Sequence, residues 1–226
     1  MESTVLKLAK PALDVGLYTN QLDACLAFWQ DQVHVPFDHL LKLGGGAHQH
    51  RHQIGNSVLK INNTREPIEP GNPTGLNTLT IYDKDCEAPI ELIDPDGNNV
   101  VLAPPAANHN LKLTLQVNDM DAQRNFYANT LGLAAVDDHT FAVGDSLLEL
   151  TPGRVGTFER QGIGYRYMTV QVFDVVAEHT RILQAGGREG MAPVRLGDVA
   201  YISFVCDNDG NWIEISQRKS ITGSLA

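Results

Sequence analysis

Apolar and polar residues alternate in short runs along most of the chain, and this pattern predicts many strands and few helices. Alternation with a period of two is typical of half-buried strands, whereas an apolar stripe every three to four residues is typical of a helix. A helical stripe is predicted at three places: Leu22 to Val33, Met120–Leu131 and the segment carrying Val175, His179 and Ile182. Strands are predicted at Leu13–Thr19, Leu40–Leu43, His48–Ile54, Ser57–Asn62, Leu76–Tyr82, Ile90–Asp94, Asn99–Leu102, Leu111–Val117, Leu147–Leu150, Tyr167–Phe173, Tyr201–Val205 and Trp212–Ser216.

Local signals mark where these elements begin and turn. Asn20 and Asp174 are predicted to cap the first and third helices, and Gly186-Gly187 is predicted to end the third. Two-residue turns at Gly55-Asn56 and Gly144-Asp145 predict hairpins.

The pattern repeats within the chain. The turn Asp94-Pro95-Asp96-Gly97-Asn98 is echoed by Asp207-Asn208-Asp209-Gly210-Asn211, and each turn leads into an apolar strand. A second echo joins the segment 17–29 to the segment 115–127. Two echoes in the same order predict four tandem βαβββ modules. The second module has no room for a helix, so it is predicted to be truncated.

A break between the modules is expected where proline and polar residues cluster, from Pro104 to Asn110. This predicts an N-terminal domain over 1–105, with modules 1 and 2, and a C-terminal domain over 106–226, with modules 3 and 4.

The composition narrows the function classes. The chain has 226 residues, 42% hydrophobic and 19% charged, with a formal net charge of −10. The acidic balance argues against nucleic acid and anionic membranes as partners, and no apolar run approaches the roughly 18 residues that a membrane span needs. Three widely spaced cysteines indicate thiols in a reducing compartment, so a cytoplasmic location is expected.

The helix sequences LDACLAFWQDQV and MDAQRNFYANTLGL, together with FVCDNDGNWIEIS, resemble the vicinal oxygen chelate superfamily, which includes glyoxalases, bleomycin resistance proteins and extradiol dioxygenases. The resemblance covers nearly the whole chain and is weakest in module 2. It implies an α+β fold in which paired modules form curved mixed sheets around a cleft, with helices on the convex side. It also implies a small organic molecule as ligand, bound by a monomer or homodimer.

In the metal-dependent members of that superfamily, each module offers one ligand position in its first strand and one in its last. The resemblance places Asp14 and Lys60 there in module 1, Asn77 and Val101 in module 2, Lys112 and Glu149 in module 3, and Tyr167 and Glu214 in module 4. None of the first-strand positions is a histidine, and a protonated lysine repels a cation. The usual metal site is therefore expected to be absent.

Three interpretations of these positions stay open. Lysine–glutamate pairs could fill the cleft and serve only the structure. Alternatively, Glu214 or Glu149 could act as a base and Tyr167 or Lys112 as a proton donor in metal-independent catalysis. A divalent ion held by Glu149, Glu214 and water is the third, and it would suit a lyase, an isomerase or a dioxygenase. The sequence also leaves open whether modules pair within each half or across the halves.

Two further groups of residues are candidates. His48, His50 and His52 share one face of a strand and could bind a metal, but a Gly55-Asn56 hairpin would place Arg51 opposite Lys60 and turn the histidines away from the cleft. Arg166 could hold a ligand carboxylate, although an exposed charged position is the expected interpretation. The leading hypothesis is a small-molecule-binding protein or metal-independent enzyme that uses the cleft between modules 3 and 4.

Overall fold

The computed structural model describes residues 5–153 and 156–225. Module 1 contains β1 (Leu8–Tyr18), α1 (Leu22–Ala27), β2 (Phe37–Gly44), β3 (Ala47–Ile54) and β4 (Ser57–Asn63). Module 2 contains β5 (Leu76–Tyr82), β6 (Ile90–Ile93) and β7 (Asn99–Ala103). Module 3 contains β8 (Leu111–Val117), α2 (Met120–Asn125), β9 (Ala134–Ala135), β10 (Thr140–Val143) and β11 (Ser146–Pro152). Module 4 contains β12 (Gly164–Val172), α3 (Val175–Gln184), β13 (Arg188–Leu196), β14 (Ala200–Cys206) and β15 (Trp212–Arg218), and α4 (Lys219–Thr222) follows it.

The helices differ from the prediction at their ends. Asp174 caps α3 through the backbone N–H of Ala177, as predicted, but Asn20 does not cap α1. The side chain of Asn20 instead exchanges hydrogen bonds with the backbone of Ile68 and ties the first module to the linker before β5. Helices α1 and α2 continue as π-helical turns over Phe28–Gln32 and Phe126–Leu131, which bury both aromatic residues of each Phe-Trp or Phe-Tyr pair.

The strands form two curved mixed sheets with crossed module pairing. Sheet A has the order β13-β14-β15-β12-β1-β4-β3-β2 and combines modules 1 and 4; sheet B has the order β6-β7-β5-β8-β11-β10-β9 and combines modules 2 and 3. Antiparallel pairs β1–β12 and β5–β8 join the modules at the centre of each sheet. Modules 3 and 4 therefore share no sheet, and the hypothesis of a cleft between them is wrong. The domain division at 105/106 stays a prediction.

The repeated turns join modules that belong to different sheets. Asp94 accepts hydrogen bonds from the backbone N–H groups of Asp96 and Asn98, and Asp207 accepts the corresponding pair from Asp209 and Asn211. The second turn also contacts α2 and its π-helical extension, because Asp207 accepts the buried hydroxyl of Tyr127 at 2.8 Å. The first turn contacts module 1, because Gln21 donates to the backbone carbonyl of Pro95 and to Asp96. The duplicated motif is thus a structural joint within each half of the chain.

A large apolar core holds the two sheets and the helices together. It includes Leu13 and Leu59 of sheet A, Leu113 and Leu148 of sheet B, and Trp29 and Tyr127 beside the helices. None of the helices among the described residues is long and apolar enough to span a membrane.

Candidate functional site

Strand register brings four of the sequence-predicted positions together on one face of sheet A. Lys60 lies opposite Gly16, which lies opposite Tyr167, while Thr169 lies between Asp14 and Glu214. Directly opposed residues and their i+2 neighbours share a face of a sheet. Asp14, Lys60, Tyr167 and Glu214 therefore line one cleft, which we call the sheet A cleft.

A buried ion pair occupies the centre of this cleft. The Nζ atom of Lys60 donates to Oε2 of Glu214 and to Oγ1 of Thr169, at 2.7 Å in each case. Thr169 in turn donates to the same glutamate oxygen at 2.8 Å. The Lys60 side chain is only 2% exposed. Burial lowers the pKa of Lys60, and the charges of Glu214 and Asp14 act in the opposite direction.

Tyr167 lies beside this pair because Gly16 has no side chain. A Cβ atom on residue 16 would lie 2.1 Å from Cζ of Tyr167, so the ring rests directly on the backbone of β1. The hydroxyl accepts hydrogen bonds from Asn62 at 3.2 Å and Gln49 at 3.3 Å. Burial raises the pKa of Tyr167 well above its usual value, which keeps the phenol protonated.

Aromatic rings extend the cleft from Tyr167 toward β14. Tyr167 contacts Phe204, and Phe204 contacts Trp212, with ring centroids 5.8 and 5.5 Å apart. Arg160, in the loop before β12, places its guanidinium 5.7 Å and 5.9 Å from the centroids of Phe204 and Trp212. Trp212 packs with Tyr167 and Phe204 in a buried apolar cluster on this side of sheet A.

Several buried polar atoms in the cleft have no hydrogen-bond partner among the described residues. They are Oδ2 of Asp14, Oε1 of Gln171, Oγ of Ser216 and Nε of Arg51. Their side chains share the face of Lys60 and Glu214, because Gln171 pairs with Ser216 and Arg51 pairs with Lys60. Buried polar groups usually have partners, so these atoms are available for hydrogen bonds with water or with a further polar molecule.

Sheet B has a second, simpler cleft. Lys112 pairs with Glu149 at 2.9 Å, and Thr114 donates to the same carboxylate oxygen at 3.0 Å. The side chain of Lys112 is 24% exposed and that of Glu149 is 30% exposed. Glu149 also lines an open cavity of about 610 Å³. The four predicted catalytic residues are thus divided between two clefts: Tyr167 and Glu214 in sheet A, Lys112 and Glu149 in sheet B.

The histidine row faces away from the sheet A cleft. The Gly55-Asn56 hairpin pairs Arg51 with Lys60 and His52 with Leu59, which is the predicted register. His52 contacts Gln30 of the first π-helical turn at 3.0 Å, and burial lowers the pKa of His50 and His52. The row therefore packs on the helix side, where it cannot join Glu214 in a metal site.

The expectation that Arg166 is an exposed charged residue is wrong. Its side chain is fully buried, not an exposed charged position, and it lies outside the cleft. The guanidinium donates to the backbone carbonyls of Asn72 at 2.6 Å, Glu159 at 2.5 Å and Gln161 at 3.0 Å. Arg166 thus fastens the loop that carries Arg160 to the linker between modules 1 and 2.

The donor sets of the two clefts do not fit a divalent metal. In each cleft an ammonium group already bonds the glutamate that would act as a ligand, and the Tyr167 phenol holds its proton. In the part of the chain that the structure describes, Cys25, Asp94 and Asp96 form the only group of three ligand side chains close enough to share an ion. That group lies beside α1, and Asp94 already accepts hydrogen bonds from its own turn.

Sequence reasoning missed Thr169, Arg51, Gln171, Ser216 and Arg218 as cleft residues. Alternation from Glu214 could have indicated Ser216 and Arg218, and the correctly predicted hairpin register already placed Arg51 opposite Lys60. Thr169 and Gln171 face the cleft by the same alternation from Tyr167.

Comparison with known proteins gives consistent matches. A sequence model described as Glyoxalase/Bleomycin resistance protein/Dioxygenase superfamily matches residues 108–215. A protein of Vibrio parahaemolyticus described as probable lactoylglutathione lyase is 30% identical over 132 residues, which are 51% of this chain and 94% of that protein.

Two solved structures share the fold over nearly the whole chain. Glyoxalase I from Zea mays superposes with a TM-score of 0.72 at 17% identity, covering 93% of this chain and 92% of that one. A putative dioxygenase from Bacillus subtilis gives a TM-score of 0.66 at 12% identity, covering 99% of this chain and 92% of that one. At these identities the two structures show the fold alone.

Proposed function

The chain belongs to the glyoxalase/bleomycin resistance protein/dioxygenase superfamily, and from this premise we propose that it binds a small polar organic molecule in the sheet A cleft without a resident metal ion. The observation that carries the proposal is the position of Lys60. Its ammonium lies where the two modules' ligand positions converge and bonds Glu214 and Thr169 at 2.7 Å. Lys60 thus supplies a fixed positive charge that can attract a ligand oxygen.

The burial of this charge favours a binding role over a purely structural one. Burying an ion pair costs free energy in desolvation, and replacing such a pair by apolar residues is often neutral or stabilising. The sheet A cleft nevertheless contains Lys60, Glu214, Asp14 and Arg51, all nearly shut off from water. The unpartnered atoms of Asp14, Gln171 and Ser216 offer a bound molecule further hydrogen bonds.

The same groups could also transfer protons. The carboxylate of Glu214 could accept a proton from a ligand, and the protonated Tyr167 hydroxyl could donate a hydrogen bond to a ligand oxygen. Lys60 beside them would stabilise negative charge that develops on that oxygen. The proposal therefore extends to metal-independent acid–base catalysis, with a cytoplasmic location expected from the cysteines.

Metal analysis and ligand binding test the proposal together. We expect no stoichiometric divalent metal in the purified untagged protein, or in the Glu149→Ala, Glu214→Ala double variant, even after incubation with nickel, zinc, iron or manganese. A thermal-shift screen of small oxygenated compounds should find ligands that Lys60→Met and the milder Tyr167→Phe weaken. Lys112→Met in the sheet B cleft is the matched control and should not weaken them.

Two results would contradict this assignment. One is stoichiometric metal that the double variant loses. The other is a ligand that depends on Lys112 and is indifferent to Lys60 and Tyr167, since it would place binding in sheet B.

The similarity to a probable lactoylglutathione lyase favours a second candidate, a divalent-metal-dependent lyase. Its carboxylate ligands would be Glu149 and Glu214, although these two residues belong to different sheets. An assay for lactoylglutathione lyase activity with and without added nickel or zinc distinguishes the two candidates. Metal-stimulated turnover would select the lyase.

A further inference from the structure

The sheet A cleft contains more positive charge than its carboxylates neutralise. Lys60 pairs with Glu214, and Lys10 pairs with Asp14. No carboxylate oxygen of the described residues lies within 4.0 Å of Arg51 or Arg218. Two guanidinium groups are therefore unpaired in a protein whose overall charge is −10.

Arg51 is the more deeply buried of the two. It is 5% exposed, it lies opposite Lys60 on the neighbouring strand, and its guanidinium donates to Oε1 of Gln49 at 2.9 Å. Its Nε atom has no partner among the described residues. A guanidinium has five N–H donors in a fixed fork, so most of the donors of Arg51 are free for a planar anion.

Arg218 belongs to the same electrostatic environment. It lies on the cleft face of β15, two residues after Ser216, and is half-buried. Burial and the positive charge of Arg51 lower the pKa of Arg218, and the charges of Glu214, Asp14 and Asp38 act in the opposite direction. Arg51 also lowers the pKa of Lys60. Arg51 therefore repels both Lys60 and Arg218, and an added negative charge beside it would stabilise the cluster.

The unpartnered hydrogen-bond acceptors in the sheet A cleft indicate which further groups the ligand carries. Oδ2 of Asp14 and Oε1 of Gln171 can only accept hydrogen bonds, and the Ser216 hydroxyl can accept one as well. A ligand that satisfies them must carry hydrogen-bond donors, of which hydroxyl groups are the simplest, whereas the arginines favour an acidic group. No single neutral or purely anionic group meets both demands.

We propose that Arg51 and Arg218 form a binding subsite for the carboxylate of a small hydroxylated organic acid, whose hydroxyl groups bond Asp14, Gln171 and Ser216. The proposal rests on the proposed function, because it names the ligand class of the same cleft. A carboxylate fits better than a spherical ion because it can accept two parallel N–H bonds from a guanidinium.

Three probes separate the parts of this claim. Glycerate carries a carboxylate and hydroxyls, acetate carries only the carboxylate, and glycerol carries only hydroxyls. By calorimetric titration at constant ionic strength, we expect glycerate to bind more tightly than acetate and acetate more tightly than glycerol. Inorganic phosphate at the same ionic strength should bind more weakly than glycerate.

Variants identify the subsite. Arg51→Gln and Arg218→Gln should each weaken glycerate binding by at least about tenfold, because each removes a charge-assisted hydrogen-bonding group. Arg195→Gln, an exposed arginine of β13, is the matched control and should leave the affinity unchanged. In the absence of ligand, the first two variants should melt at the same temperature as the parent or higher, since each removes an unpaired cation.

The inference is wrong if titration with glycerate gives no binding heat beyond that of sodium chloride. It is also wrong if both variants bind glycerate with the affinity of the parent. A lower melting temperature of both variants together with unchanged glycerate affinity would make the arginines structural. If neutral compounds bind in a Lys60-dependent way and glycerate does not, the proposed function stands and the acid subsite falls.

Discussion

At the scale of the residue, an ammonium group that is shut off from water needs compensation from its neighbours. Lys60 finds it in Glu214 and Thr169, and the ring of Tyr167 adds a cation–π contact with its centroid 5.4 Å away. Lys112 makes a similar pair with Glu149, but both side chains remain partly in water. The chain thus contains a buried and a solvated version of the same pair.

This difference predicts unequal costs for the same substitution. Lys60→Met should lower the free energy of unfolding by about 3–5 kcal/mol, because it leaves Glu214 buried without a counter-charge. Lys112→Met should cost below about 1 kcal/mol, since water screens Glu149. Urea unfolding followed by circular dichroism measures both.

The double substitution Lys60→Met with Glu214→Met gives the control. It should recover at least half of the loss, because no unpaired charge remains. Equal costs for the two single lysine substitutions would show that the sheet A pair is hydrated after all.

At the scale of the element, the duplicated turn has the same internal hydrogen bonds in both copies but different neighbours. Asp207 accepts the buried hydroxyl of Tyr127. The residue that corresponds to Tyr127 in module 1 is Trp29, whose Nε1 has no partner among the described residues. The second copy therefore makes a buried hydrogen bond to its helix that the first copy lacks, because the first copy contacts α1 through the exposed Gln21 side chain.

We predict that Asp207→Ala destabilises the protein more than Asp94→Ala does. The extra cost should be about 1.5–3 kcal/mol, which is typical of a hydrogen bond to a charged group. Thermal and denaturant unfolding of the two variants gives the difference. In a Tyr127→Phe background the difference should disappear; if it persists there, the hydroxyl is not its cause.

Local elements were the part of the fold that the sequence revealed. Turn residues, alternation and the repeat predicted the modules, the truncated copy and the Gly55-Asn56 register, because each depends on residues close together in the chain. Asn20 was misassigned as a cap because its partner, Ile68, is 48 residues away. The burial of Arg166 was missed for the same reason, since its carbonyl partners belong to loops that only the tertiary fold brings together.

At the scale of the whole molecule, the two halves depend on each other for their central strands. Strand β1 pairs with β12 and β5 pairs with β8, so each half lends a module to each sheet. No local pattern announces which module will meet which, and the sequence accordingly left both pairings open. Because the pairing decides which candidate positions meet in one cleft, the sequence could name those positions but could not choose how to divide them between the two clefts.

Separated halves test this interdependence. We predict that fragments 1–105 and 106–226 are each unfolded or self-associated alone, because every central strand loses one of its two neighbours and becomes an exposed edge. Mixed at equal concentration, they should form a one-to-one complex with the circular dichroism spectrum of the intact chain. Size-exclusion chromatography with light scattering measures the stoichiometry, and a folded monomer of either fragment would refute the prediction.

Crossed pairing also affects how the protein can evolve. In an assembly of two identical chains around a twofold axis, every substitution appears in both interfaces at once. Here each cleft is built from one module of each half, and no residue of one cleft has an identical copy in the other. A codon change at Lys60 or Glu214 alters one cleft, and a change at Lys112 or Glu149 alters the other. Selection for recognition and selection for folding can therefore act on different sets of codons within one gene.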